Sequence, residues 1–79
     1  MGIDKITMDR YIRIENVRID LKRVHKTQIE QMNGVFYLWV NEHCYWWYET
    51  LQEAIEVSDK INKAAREYQI SIGREPYKA

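Results

Sequence analysis

Asn33-Gly34 followed by Val35-Phe36-Tyr37-Leu38-Trp39-Val40 leaves this chain little choice of local structure. A type I′ hairpin turn needs positive φ at both central residues, and Asn-Gly accepts both. The β-branched and aromatic run behind it suits a pleated strand. Asn41-Glu42-His43 breaks the run, and Cys44-Tyr45-Trp46-Trp47-Tyr48-Glu49 resumes it. The spacing predicts two antiparallel strands over 35–40 and 44–49. Seven of the ten aromatic residues lie between Phe36 and Tyr48. Alternation puts Phe36, Leu38 and Val40 on one face and Val35, Tyr37 and Trp39 on the other.

Thr50-Leu51-Gln52-Glu53 changes the pattern. It is a capping box, in which the Thr hydroxyl accepts from the backbone N–H of Glu53 and the Glu carboxylate reaches back to that of Thr50. Leu51, Ala54, Ile55, Ser58, Ile61, Ala65 and Tyr68 then recur at helical spacing. Glu56 with Lys60 and Asp59 with Lys63 form i,i+4 pairs on the other side. A helix over about 51–68 is predicted, with Leu51, Ile55 and Ile61 meeting Phe36, Leu38 and Val40.

The N-terminal half is less determined. Ile12 and Ile14 alternate with Arg13, and Val17, Ile19 and Leu21 with Arg18 and Asp20. Parity switches at Glu15-Asn16, which marks a bulge or a tight turn. Residues 26–32 fit a strand entering the Asn33-Gly34 hairpin. Residues 21–32 also fit a helix, capped by Asp20 and ended by Asn33-Gly34. The tail 69–79, with Ile70 and Ile72 in alternation before Gly73 and Pro76, reads as a short edge strand or as frayed.

Seventy-nine residues make one small domain, 1–79. The expected architecture is α+β: a three- or four-stranded antiparallel sheet with one C-terminal amphipathic helix on one face. One Cys excludes a disulfide scaffold. No run approaches a transmembrane helix, and the N-terminus lacks the pattern of a signal peptide, so a cytoplasmic location is expected. Cys44 beside His43 suggests a nucleophile and its base, but neighbours on a strand point to opposite faces. Glu42, His43, Cys44 and His25 lack the paired spacing of a metal site. No phosphate loop or nucleophile elbow is present. An enzyme is not expected, nor a metal or other cofactor.

Twelve basic and twelve acidic residues cancel, yet they are unevenly spread. Residues 1–26 carry a net +3, 27–56 a net −5 without one Lys or Arg, and 57–79 a net +2. The aromatic block therefore sits in the acidic part. A turn centred on Glu42-His43 would put Trp46 and Tyr48 beside Tyr37 and Trp39, away from the helix. A three-residue loop would put Tyr45 and Trp47 there instead. One helix covers one face, so the remaining rings are covered by the N-terminal segment or offered to a partner. Tyr37, Trp39, Trp46 and Tyr48 are the candidate protein-binding residues. Chains this small and neutral often serve as inhibitors or adaptors of other proteins, including those of phages and mobile elements. Self-association through the same face, as a homodimer, is a further reading.

The stretch Tyr48-Glu49-Thr50-Leu51-Gln52-Glu53-Ala54-Ile55 resembles the strand-to-helix junction of AP2-like domains and integrase arm-binding domains. That resemblance covers residues 44–61 and implies a three-stranded sheet with one helix. Its open face would lie in the major groove of DNA. Arg10, Arg13, Arg18, Lys22 and Arg23 would be the nucleic-acid-binding residues of this alternative. Such sheets carry Arg and Lys on the reading face, whereas residues 27–59 have neither.

Overall fold

The computed structural model describes residues 9–75. In chain order it has β1 (Tyr11–Ile14), β2 (Val17–Asp20), a 3₁₀ turn (Leu21–Arg23), β3 (Thr27–Met32), β4 (Val35–Val40), β5 (His43–Tyr48) and α1 (Leu51–Ser71). β1 and β2 form a two-stranded antiparallel sheet, and β3-β4-β5 a three-stranded one. The architecture is the α+β type expected.

Each turn has a local cause. Asn33 and Gly34 take φ of 54° and 79° between β3 and β4, as a type I′ turn requires. Glu15-Asn16 is a tight turn, with Glu15 at φ 56° and Ile14 paired to Val17. Residues 21–32 follow the strand reading from Thr27 onward. The helical alternative fails because Gln28, Glu30 and Met32 pair with Trp39, Tyr37 and Val35. Asp20 does act as a cap, but of the 3₁₀ turn, where its carboxylate accepts from the Lys22 N–H at 3.1 Å.

The β4–β5 connection corrects the expected placement of two aromatic residues. Val40 pairs with His43 across Asn41-Glu42, and Trp39 with Cys44. The register then shifts by one, so that Leu38 pairs with Trp46, Tyr37 with Trp47 and Phe36 with Tyr48. Tyr45 is the inserted residue of a β-bulge. Strict alternation from Cys44 would set Trp46 opposite Tyr37, on the helix-free face. The bulge turns Trp46 and Tyr48 to the helix side instead, and Trp46 is buried. Neither belongs to the helix-free face.

α1 begins as the capping box dictates. Thr50 Oγ1 accepts from the Glu53 N–H at 3.2 Å, and its hydroxyl donates to the Glu53 carboxylate at 3.0 Å. The carboxylate thus meets the side chain of Thr50 where its backbone N–H was expected. The helix runs to Ser71, three residues past the predicted end. Residues 69–71 are therefore helical, neither edge strand nor frayed. The rest of the predicted tail from Pro76 lies outside the described residues, as do residues 1–8.

The buried stripe of α1 is Ala54, Ser58, Ile61, Asn62, Ala65 and Gln69. Leu51 and Ile55, expected in the core, are exposed. Small side chains at 54, 58 and 65 let the helix lie close to the sheet. A polar cluster replaces apolar contact in the middle: Thr27 and Ser58 hydroxyls are 2.9 Å apart, and Asn62 Nδ2 donates to Thr27 Oγ1 at 2.9 Å. The core joins Ile14 and Ile19 of the hairpin, Leu21 and Val24, Leu38, Val40 and Trp46 of the sheet, and Ile61 and Ala65 of the helix.

Leu38→Ala is expected to cost about 2–5 kcal/mol and Trp46→Ala about 3–5 kcal/mol. The buried Tyr48 hydroxyl, like the Trp46 indole N–H, has no hydrogen-bond partner among the described residues, but it can be removed without taking away the ring. Tyr48→Phe removes an uncompensated polar group and should be neutral, or stabilising by about 1 kcal/mol. Urea denaturation of the three variants checks this order.

Candidate functional site

The helix-free face of the three-stranded sheet is built in rows by the pairing. Glu30, Tyr37 and Trp47 form one row across β3, β4 and β5, and Gln28, Trp39 and Cys44 the next. Met32 and Val35 form a third on β3 and β4. Trp47 is 57% exposed and Met32 46%. Tyr37 and Trp39 are partly exposed. α1 and the β1–β2 hairpin both turn their apolar residues to the opposite side of the sheet. Of the candidates named from sequence, the structure brings Tyr37 and Trp39 together on this face and leaves Trp46 and Tyr48 out. Trp47 was visible only in the alternative register. Tyr45 lies elsewhere: its ring centroid is 6.0 Å from that of His43 and 5.4 Å from that of Trp46, at the rim of the helix side.

The face is polar only at its edges. Among the described residues of β3, β4 and β5, Glu30 is its one charged side chain, and these strands hold no Lys or Arg, since residues 27–59 contain none. Cys44 lies in the row of Trp39, and His43 points the other way with Val40. Burial pushes the Cys44 thiol above its ordinary value, and the Glu30 carboxylate adds to the effect. A thiol held protonated in this way is a poor nucleophile.

The five cations of the DNA-binding alternative lie on other elements. Arg13 and Arg18 face each other across the β1–β2 hairpin. Arg18 also lies over the Tyr11 ring at 4.7 Å. Arg10 grips Asp20 through Nε and an Nη, both at 2.8 Å, and Arg23 Nε approaches the same carboxylate at 3.4 Å. The Arg10 hydrogen bonds hold the Asp20 carboxyl below the usual carboxylate range. Lys22 and Arg23 belong to the 3₁₀ turn.

The backbone of that turn is held by side chains from distant elements. Gln69 Nε2 donates to the carbonyls of Leu21 at 3.0 Å and Val24 at 2.9 Å. Arg74 donates to the Lys22 carbonyl at 2.7 Å. Asn41 Nδ2 donates to the Arg23 carbonyl at 2.9 Å. Asn41 Oδ1 accepts from the His25 N–H at 2.9 Å and the Lys26 N–H at 3.3 Å. The turn is thereby fixed relative to both the helix and the β4–β5 connection. Sequence spacing gave no sign of these contacts, because Asn41, Gln69 and Arg74 lie 18, 48 and 52 positions from Arg23, Leu21 and Lys22, whose carbonyls they reach.

Among the described residues, no three His, Cys, Asp or Glu side chains are grouped to hold a metal ion. None of their helices is long and apolar enough to cross a membrane. No family model, curated protein or solved structure matches the chain.

Two outcomes follow from the environments of Cys44 and Asp20. Cys44 should react slowly with iodoacetamide at pH 7.5 despite its exposed position, and Cys44→Ser should leave the fold intact by circular dichroism. Asp20 has a depressed native pKa, so its contribution is complete above the unfolded value of about 4 and is lost as pH falls through the lower native one. The stability difference between wild type and Asp20→Asn should therefore narrow between about pH 5 and pH 2 in denaturant titrations.

Proposed function

We propose that this chain is a non-enzymatic binding protein, an inhibitor or adaptor of another protein, which it contacts through the helix-free face of β3-β4-β5. The observation that carries this reading is Trp47, 57% exposed and paired with Tyr37 on a sheet face that α1 does not cover. Large exposed aromatic and Met side chains are what protein interfaces concentrate and what other surfaces lack. The β5 bulge supports the reading too, because bulges re-aim side chains where a strand edge is put to use. The strands of this face carry Glu30 and no Lys or Arg, so the complementary partner surface is apolar with a Lys or Arg at its margin.

DNA binding through this sheet has less support. A phosphate backbone is met by Lys and Arg, and the five cations proposed for that role lie on β1, β2, the 3₁₀ turn and Arg10 before β1. Self-association would use the same rings as protein binding and differs from it in solution behaviour.

Trp47→Ala should leave folding within about 1 kcal/mol of wild type. It should weaken capture of the partner from lysate of the native host by about 2 kcal/mol or more, roughly thirtyfold. Sedimentation equilibrium of the purified chain should give a monomer. A dimer that Trp47→Ala dissociates would establish self-association, and a variant that unfolds as readily as Leu38→Ala would refute the surface role of Trp47.

A further inference from the structure

A second surface lies apart from the aromatic face, at the end of the molecule where the 3₁₀ turn meets the C-terminus of α1. Two clefts adjoin there and share Arg23, Val24 and His25. The first, about 340 Å³, is also lined by Arg10, Lys22 and Arg74. The second, about 490 Å³, continues past Arg18 to His43 and Tyr45, with the carboxylates of Asp20 and Glu42 also in its lining. Four cations thus line the first cleft, and the Asp20 carboxylate reaches two of them, Arg10 and Arg23.

Two of these cations are pinned before any ligand arrives. Arg10 is held by the Asp20 carboxylate and Arg74 by the Lys22 carbonyl, while Arg23, 3.4 Å from the same carboxylate, stays largely exposed. Pinned guanidinium groups keep N–H donors for an oxyanion and lose little entropy on binding it. The second cleft adds rings. Tyr45 is 40% exposed, and its ring lies 6.0 Å from His43 beside Arg18 and Arg23. Cations alone would serve a carboxylate equally well. Cations that run into exposed rings are the arrangement by which single-stranded nucleic acid is held, phosphates on the first and bases on the second.

We propose that this end of the molecule binds single-stranded nucleic acid, with phosphates in the cleft of Arg10, Lys22, Arg23 and Arg74 and a base against Tyr45 and His43. The site is independent of the aromatic sheet face.

Fluorescence anisotropy with a labelled oligothymidylate tests it. Binding should weaken with salt at a log–log slope near −2, as about three phosphate contacts to a single strand require. Lys22→Gln should weaken binding and reduce the slope by about 0.7. Tyr45→Ala should weaken it roughly five- to hundredfold with the slope unchanged, since stacking carries no counterion. Arg13→Gln serves as the control, because Arg13 lines neither cleft, and Trp47→Ala should also leave the oligonucleotide bound. Thermal denaturation confirms that each variant is folded. Absence of binding, indifference to Tyr45→Ala, equal affinity for duplex, or equally effective competition by polyglutamate of matched charge would each overturn the proposal.

Discussion

One inserted residue decides what each side of the central sheet is for. A strand alternates strictly, so a one-residue change in register exchanges its two faces. The bulge at Tyr45 makes that exchange partway along β5, between the Trp39–Cys44 and Leu38–Trp46 pairs. It delivers Trp46 to the core beside Leu38 and Val40 and, by the same step, delivers Trp47 to the open side beside Tyr37. A small domain gains much from the first, because burying one indole supplies a large part of a small core. It has no structural use for the second. The exposed tryptophan follows from filling the core with its neighbour, and the face it completes is then available to a partner.

The helix is held by a different kind of contact. Its buried stripe contains Ser58, Asn62 and Gln69, so apolar burial there is modest. Buried polar groups of this sort are tolerated only when satisfied. Thr27, Ser58 and Asn62 satisfy one another, and Gln69 is spent on the carbonyls of Leu21 and Val24. An apolar stripe tolerates sliding by a turn, whereas a glutamine that must reach two named carbonyls does not. These bonds therefore fix where α1 stops along the sheet, and they place Arg74 at the 3₁₀ turn.

The parts legible in the sequence were those with a local cause. Asn33-Gly34, the Thr50 cap and the alternation along 35–40 each act over a few residues, and each appeared as expected. The bulge had no such signature: Cys44-Tyr45-Trp46-Trp47 is equally strand-like in either register, and only the competition for the core chooses between them. Gln69 was invisible for the opposite reason. A polar residue before Ile70 and Ile72 reads as the end of a helix, yet its partners lie 45 and 48 positions earlier. The exposure of Leu51 and Ile55 follows from the same polar bonds, which set the rotation of α1 and turn its first apolar residues outward. Two of the three rings of the aromatic face were therefore foreseeable, Tyr37 and Trp39, and the identity of its β5 member was not.

Charge shows how the fold turns order along the chain into order in space. The cation-free block is the one that forms β3, β4 and β5, so the sheet strands carry no Lys or Arg and one acid, Glu30. The basic blocks flank it in sequence, and the return of α1 brings their ends together, Arg10, Lys22 and Arg23 from one and Arg74 from the other. Four cations in one place repel, and the structure answers this in two ways. Asp20 sits among them and bonds to Arg10 and Arg23. The helix C-terminus also lies there and presents the negative end of the helix dipole, which favours each nearby cation by about 0.3–1 kcal/mol. The basic cluster is thus stable without a ligand, and an arriving anion meets guanidinium groups that are already in position.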